Sequence, residues 1–119
     1  MDLSAKLQIK PGLKVAILAA PGDGPEFAGP WETVADPADA DVVIMFAKNR
    51  DALASAGVAI DAARADKLTW IAYPKAGQLG TDLNRDRLRE SLVSAGIQPV
   101  RQVAIDEVWS ALRFRPASS

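Results

Sequence analysis

The chain has 119 residues, 14 Lys plus Arg against 15 Asp plus Glu, a formal net charge of −1 and 49% hydrophobic residues. This is the composition of a single globular domain over residues 1–119, long enough to bury a core without disulfides or a structural metal. Cys and His are both absent, which excludes thiolate nucleophiles, Cys/His zinc sites, Ser-His-Asp triads and histidine acid-base chemistry; the balanced charge gives no basic field for nucleic acid, and no apolar run approaches the roughly 20 residues of a membrane span.

The opening Met1-Asp2-Leu3-Ser4-Ala5-Lys6 lacks the charged-then-apolar order of a signal peptide, so a cytoplasmic protein is expected. Ser4 to Ile9 fits a helix of one or two turns, stopped by Lys10-Pro11-Gly12. Three apolar runs follow: Leu13 to Ala20, Asp41 to Ala47, and Lys67 to Ala72. Each is apolar on both alternations, the pattern of a strand covered on both faces, as in a parallel sheet. Pro21 to Ala40, rich in proline and glycine, is not readable beyond a short strand between Trp31 and Val34.

Between the second and third runs, Leu53, Ala56, Gly57, Ile60 and Ala63 recur at helical spacing opposite Asp51, Ser55, Asp61 and Arg64, which predicts one helix from Arg50 to Ala65 capped by Asn49. Gly57 in its middle costs about 1 kcal/mol against Ala and marks a place where it can break. A second helix starts at an Asn84 cap with Leu83 and Leu88 at the staple positions, buries Leu88, Leu92 and Ala95, and ends at Gly96. Pro99 to Ile105 and Trp109 to Phe114 read as a hairpin of strands about the turn Asp106-Glu107-Val108.

These elements together predict an α/β fold, a reduced Rossmann-like three-layer sandwich with a mainly parallel sheet that ends in an antiparallel hairpin. In its last two thirds the order of elements is similar to that of class I methyltransferases, whose sheet also ends in such a hairpin.

In open parallel sheets ligands bind beyond the carboxyl ends of the strands. The residues there are Pro21 to Pro25, Lys48-Asn49-Arg50, Tyr73-Pro74-Lys75 and Asp106-Glu107. Gly22 and Gly24 supply two glycines of a phosphate cradle, but Phe27 stands at the third position of G-x-G-x-x-G and no Gly-Lys-Ser/Thr follows, so a tight turn accounts for them better. No nucleotide fingerprint, metal set or cofactor is therefore expected. Lys48, Arg50 and Lys75 at one edge suit a small anion, against the plainer alternative of solvated strand-end charges. Lys75 is the expected main contact, held by Pro74 at the mouth of a crevice between the first and third runs, with Lys48 and Asn49 at its rim. In the run Asp82, Arg85, Asp86, Arg87, Arg89 and Glu90, Asp86 and Glu90 have metal-ligand spacing on one helix face, but with no His beside them and Arg87 and Arg89 close by, solvated salt bridges are expected instead. Arg113 and Arg115 beside Trp109 suit stacking on a base, against the preferred expectation that they protect an edge strand from aggregation.

The stretches Trp70-Ile71-Ala72-Tyr73-Pro74-Lys75, Asp82-Leu83-Asn84-Arg85-Asp86, Pro99-Val100-Arg101-Gln102-Val103-Ala104-Ile105-Asp106 and Trp109-Ser110-Ala111-Leu112-Arg113-Phe114-Arg115-Pro116 resemble a family of small bacterial α/β proteins that is itself a domain of unknown function. The likeness covers roughly the C-terminal 50 residues closely. It implies a bacterial cytoplasmic origin and carries positions without roles.

A non-catalytic binding or interaction domain is the function these features predict. The alternative is an enzyme, or a degenerate binder of a nucleotide or S-adenosyl-type ligand, with Lys75 or Tyr73 and Asp106 as proton-transfer groups on a bound anion. The expected ligand-binding residues are Lys75, Tyr73, Lys48, Asn49, Gly22, Gly24 and Asp106.

Overall fold

The apolar runs become neighbouring strands of one sheet. In the computed structural model, which describes residues 3–19, 31–75 and 78–117, α1 (Leu3–Lys6) leads into β1 (Lys14–Leu18), and the two-residue β2 (Glu32–Thr33) falls inside the short strand expected near Trp31. Then come β3 (Val42–Phe46), α2 (Gly57–Arg64), β4 (Leu68–Pro74), α3 (Arg85–Val93), β5 (Ile97–Ala104) and β6 (Trp109–Pro116). The fold is mixed α/β. Its six-stranded sheet runs β2-β1-β3-β4-β6-β5; β2, β1, β3 and β4 are mutually parallel, while β6 is antiparallel to both β4 and β5. The edge-strand role expected of Arg113 and Arg115 is therefore corrected: β6 is an interior strand, paired on both sides.

Every residue of β3 is buried, as its uninterrupted apolar run demands. On one face Ala16, Val43, Met45, Ile71, Leu112 and Phe114 pack beneath α2 and α3. On the other, Val15, Ile44, Phe46, Trp70 and Trp109 pack with Leu7 and Ile9 from the segment after α1. That segment is tied down by polar contacts as well: the Trp70 indole Nε1 donates to the Leu7 carbonyl at 2.9 Å, and Arg113 Nη1 donates to Gln8 Oε1 at 2.7 Å.

The continuous helix expected over 50–65 is corrected to two pieces. Arg50–Ser55 is a 3₁₀-helix capped by Asn49, whose Oδ1 accepts from Ala52 N, and α2 begins afresh at Gly57. The break falls at the glycine, where helical continuity is weakest. Asp66 (φ 62°) ends α2 in the left-handed conformation, with Asp66 N donating to the Ala63 carbonyl and Lys67 N to the Ala62 carbonyl. These are the two bonds of a Schellman stop. Asn84 caps α3 through Arg87 N, Leu83 and Leu88 are buried on either side of the cap, and Gly96 (φ 90°) follows the helix in the left-handed region, as its sequence position predicts. Strands β4, β5 and β6 run two residues beyond the expected limits, at the carboxyl end of β4, the amino end of β5 and the carboxyl end of β6, because hairpin pairing continues from Pro74↔Trp109 to Ile97↔Pro116.

Candidate functional site

Strand direction decides which side chains share an edge. The carboxyl ends of β1, β3 and β4 lie together, joined by the β5–β6 turn, because β6 starts at Trp109 opposite Pro74. The crevice expected between the first and third apolar runs is corrected by the strand order: β3 lies between β1 and β4. The chain reverses its direction of travel across the sheet between β1 and β3, and that switch point is where the edges of parallel sheets open. Lys48 and Asn49, directly after β3, flank it; Lys75 stands one strand further on.

Lys75 is half-buried, and its backbone N donates to the Val108 carbonyl at 2.7 Å. The hairpin turn thus fixes the start of the loop after β4. Lys48 and Asn49 are exposed, with the Asn49 side-chain oxygen engaged at the 3₁₀ start. Asp106 Oδ1 accepts from Val108 N at 2.8 Å and from Trp109 N at 2.7 Å, so this carboxylate closes the turn that supports Lys75. Tyr73 lies within β4, its ring in the core beneath α2 and α3, and its hydroxyl accepts from Gln102 Nε2 at 3.0 Å. Burial pushes the Tyr73 phenol above its usual value, outweighing the opposing pull of the Arg85 charge and the Gln102 bond. The phenol therefore stays protonated near neutrality and acts as a hydrogen-bonding group. Gly22 and Gly24 lie outside the described residues.

Two residues expected among solvated salt bridges, Asp82 and Arg87, bond to backbone groups instead, Asp82 over a long sequence separation. Asp82 Oδ1 accepts from Arg50 N at 2.8 Å, and the Asp82 carbonyl accepts from Arg87 Nη1 at 2.7 Å. One residue thereby joins the 3₁₀-helix after β3 to the first turn of α3. Beside this junction opens a cleft of about 340 Å³ lined by Arg50, Arg87, Glu90 and Ser91. The Asp82-Leu83-Asn84 sequence marks a helix start; the partner of its aspartate is 32 residues away and has no local signal.

The amino edge of β4 carries a different feature. Arg115 Nε and Nη2 meet the two carboxylate oxygens of Asp66 at 3.1 and 3.2 Å, both side chains about half exposed. The hydrogen bond from Arg115 is the main cause that holds the Asp66 carboxyl below its usual value. A depressed folded-state pKa stabilises the fold above the unfolded carboxylate pKa and ceases to do so as pH falls through the folded value. The stability difference between wild type and Asp66→Asn, which keeps a residue tolerant of the left-handed conformation, is thus expected to vanish in strong acid. Urea titrations near neutrality and at acid pH measure it; a difference independent of pH would assign the effect of Asp66 to backbone conformation.

Among the described residues no group of three carboxylates, His or Cys gathers to hold a metal ion, and no helix is long and apolar enough to cross a membrane. The chain matches no protein-family model and no curated protein.

Proposed function

We propose that this protein is a non-catalytic binding domain whose ligand is a small anion at the carboxyl edge of its parallel sheet, in a reduced Rossmann-like, three-layer arrangement. The observation that carries this is the delivery of Lys48, Asn49 and Lys75 to one edge by adjacent parallel strands β3 and β4, next to the switch point between β1 and β3. Backbone anchoring of Lys75 on the hairpin turn supports a preformed contact, which lowers the entropic cost of binding. Asp106 and Tyr73 support the same edge structurally, since the carboxylate is engaged by turn N–H groups and the phenol by Gln102. A nucleotide or S-adenosyl-type ligand is the second reading. It is favoured by the terminal hairpin, with β6 antiparallel beside β4, the element shared with class I methyltransferases.

Calorimetric titration with inorganic phosphate, AMP and S-adenosylhomocysteine tests both. Lys75→Ala is expected to weaken the bound anion by about 1.5–3 kcal/mol, the range of a charge-assisted hydrogen bond, and to leave the urea midpoint nearly unchanged. Binding that is indifferent to Lys75→Ala would remove this edge as the site; saturable binding of S-adenosylhomocysteine with none of phosphate would favour the second reading.

A further inference from the structure

We infer that the cleft between the 3₁₀-helix after β3 and α3 is a separate binding site for a phosphate ester that carries hydroxyl groups. Arg50 and Arg87 both line it, and among the described residues neither forms an ion pair: the pair that forms is Asp66–Arg115, at the opposite edge of the sheet. Two unpaired guanidinium groups lining one cleft present planar donor forks that suit an anion.

The arrangement is held from behind. Asp82 engages Arg50 N with its carboxylate and Arg87 Nη1 with its carbonyl, so it fixes both elements without neutralising either guanidinium. Arg87 keeps its remaining N–H donors, and the Arg50 side chain keeps all of its own. Ser91 Oγ donates to the Arg87 carbonyl at 2.8 Å, which leaves the Ser91 oxygen as an acceptor. Glu90 lines the same cleft and pairs with neither arginine, so its carboxylate is a second free acceptor. Two cationic forks beside two acceptors match a ligand with a phosphate at one end and hydroxyl donors at the other. The volume of about 340 Å³ suits a small molecule of that kind.

The test is two-dimensional ¹H–¹⁵N NMR of the full chain titrated with inorganic phosphate and with ribose 5-phosphate. Saturable shifts are expected at the amides of Arg50, Arg87, Glu90 and Ser91 with both probes. Arg50→Gln and Arg87→Gln, at exposed positions, should each weaken both by about tenfold or more, the effect of one charge-assisted contact. Glu90→Ala, which removes the acceptor, should weaken ribose 5-phosphate relative to phosphate, and Lys75→Ala, whose effect belongs to the sheet-edge site, should leave the shifts at these four amides unchanged with both probes. Shifts confined to Lys48, Asn49 and Lys75 that vanish in Lys75→Ala and persist in Arg50→Gln would overturn the cleft and leave the sheet-edge site standing. Linear, non-saturating shifts throughout would overturn both.

Discussion

Trp109→Ala is expected to lower stability by about 3–5 kcal/mol, the cost of truncating a large buried aromatic to a cavity. Trp109 opens β6 and is 3% exposed. Its ring meets Phe46 edge-on, with centroids 5.2 Å apart and planes at 77°, a geometry worth about 0.5–1.5 kcal/mol beyond the area it buries. Its backbone is tied to the turn as well: Trp109 N donates to Asp106 Oδ1, and its carbonyl accepts from Ile105 N at 2.9 Å. Ring and turn therefore form one unit at the carboxyl edge. Because Lys75 N hangs on the Val108 carbonyl of the same turn, the substitution is also expected to loosen the anion contact. Urea titration reads the first effect and phosphate titration the second. A loss within about 0.5 kcal/mol, typical of surface changes, would show that the ring is not packed as described.

How much of this is legible in the sequence follows from which interactions are local. The runs that form β1, β3 and β4 are legible because burial on both faces leaves no polar alternation. The Asn49 and Asn84 caps and the Gly96 stop are legible because a cap and the N–H it serves lie within a few residues. The hairpin turn is legible for the same reason, since Asp106 caps its own next residues. Strand order is not: the apolar pattern of β3 is the same whether it lies beside β1 or beyond β4, so sequence pattern places the crevice one strand off. The 3₁₀ break after Ser55 is readable only as a weakness at Gly57. At the site, Lys48, Asn49 and Lys75 stand out because they follow strands directly. The Arg50–Arg87 cleft does not, because it depends on Asp82 reaching across 32 residues, while charged residues spaced along a helix fit a solvated face equally well.

A buried long-range contact gives the other large effect. Trp70 lies at the centre of β4 with no exposed surface, and its indole N–H donates to the carbonyl of Leu7, 63 residues earlier. Leu7 is itself fully buried, so its carbonyl depends on the indole where water is excluded. Trp70→Ala is expected to cost about 3–5 kcal/mol for the cavity, and about 1–3 kcal/mol more for the stranded carbonyl. Trp70→Phe separates the two terms, because it keeps most of the ring and removes the donor. Its loss should fall near about 1–3 kcal/mol and be accompanied by faster hydrogen exchange of amides on β4 and β6 beneath the Leu7–Ile9 segment. That segment is held on the sheet by the buried side chains of Leu7 and Ile9 and by the bonds from Trp70 and Arg113, so losing one anchor should open it locally before the sheet unfolds. Urea titration of the two variants, with exchange measured by mass spectrometry, checks the partition. If Trp70→Phe matched wild type in both readouts, the hydrogen bond would contribute nothing to holding the segment, and its docking would rest on apolar packing alone.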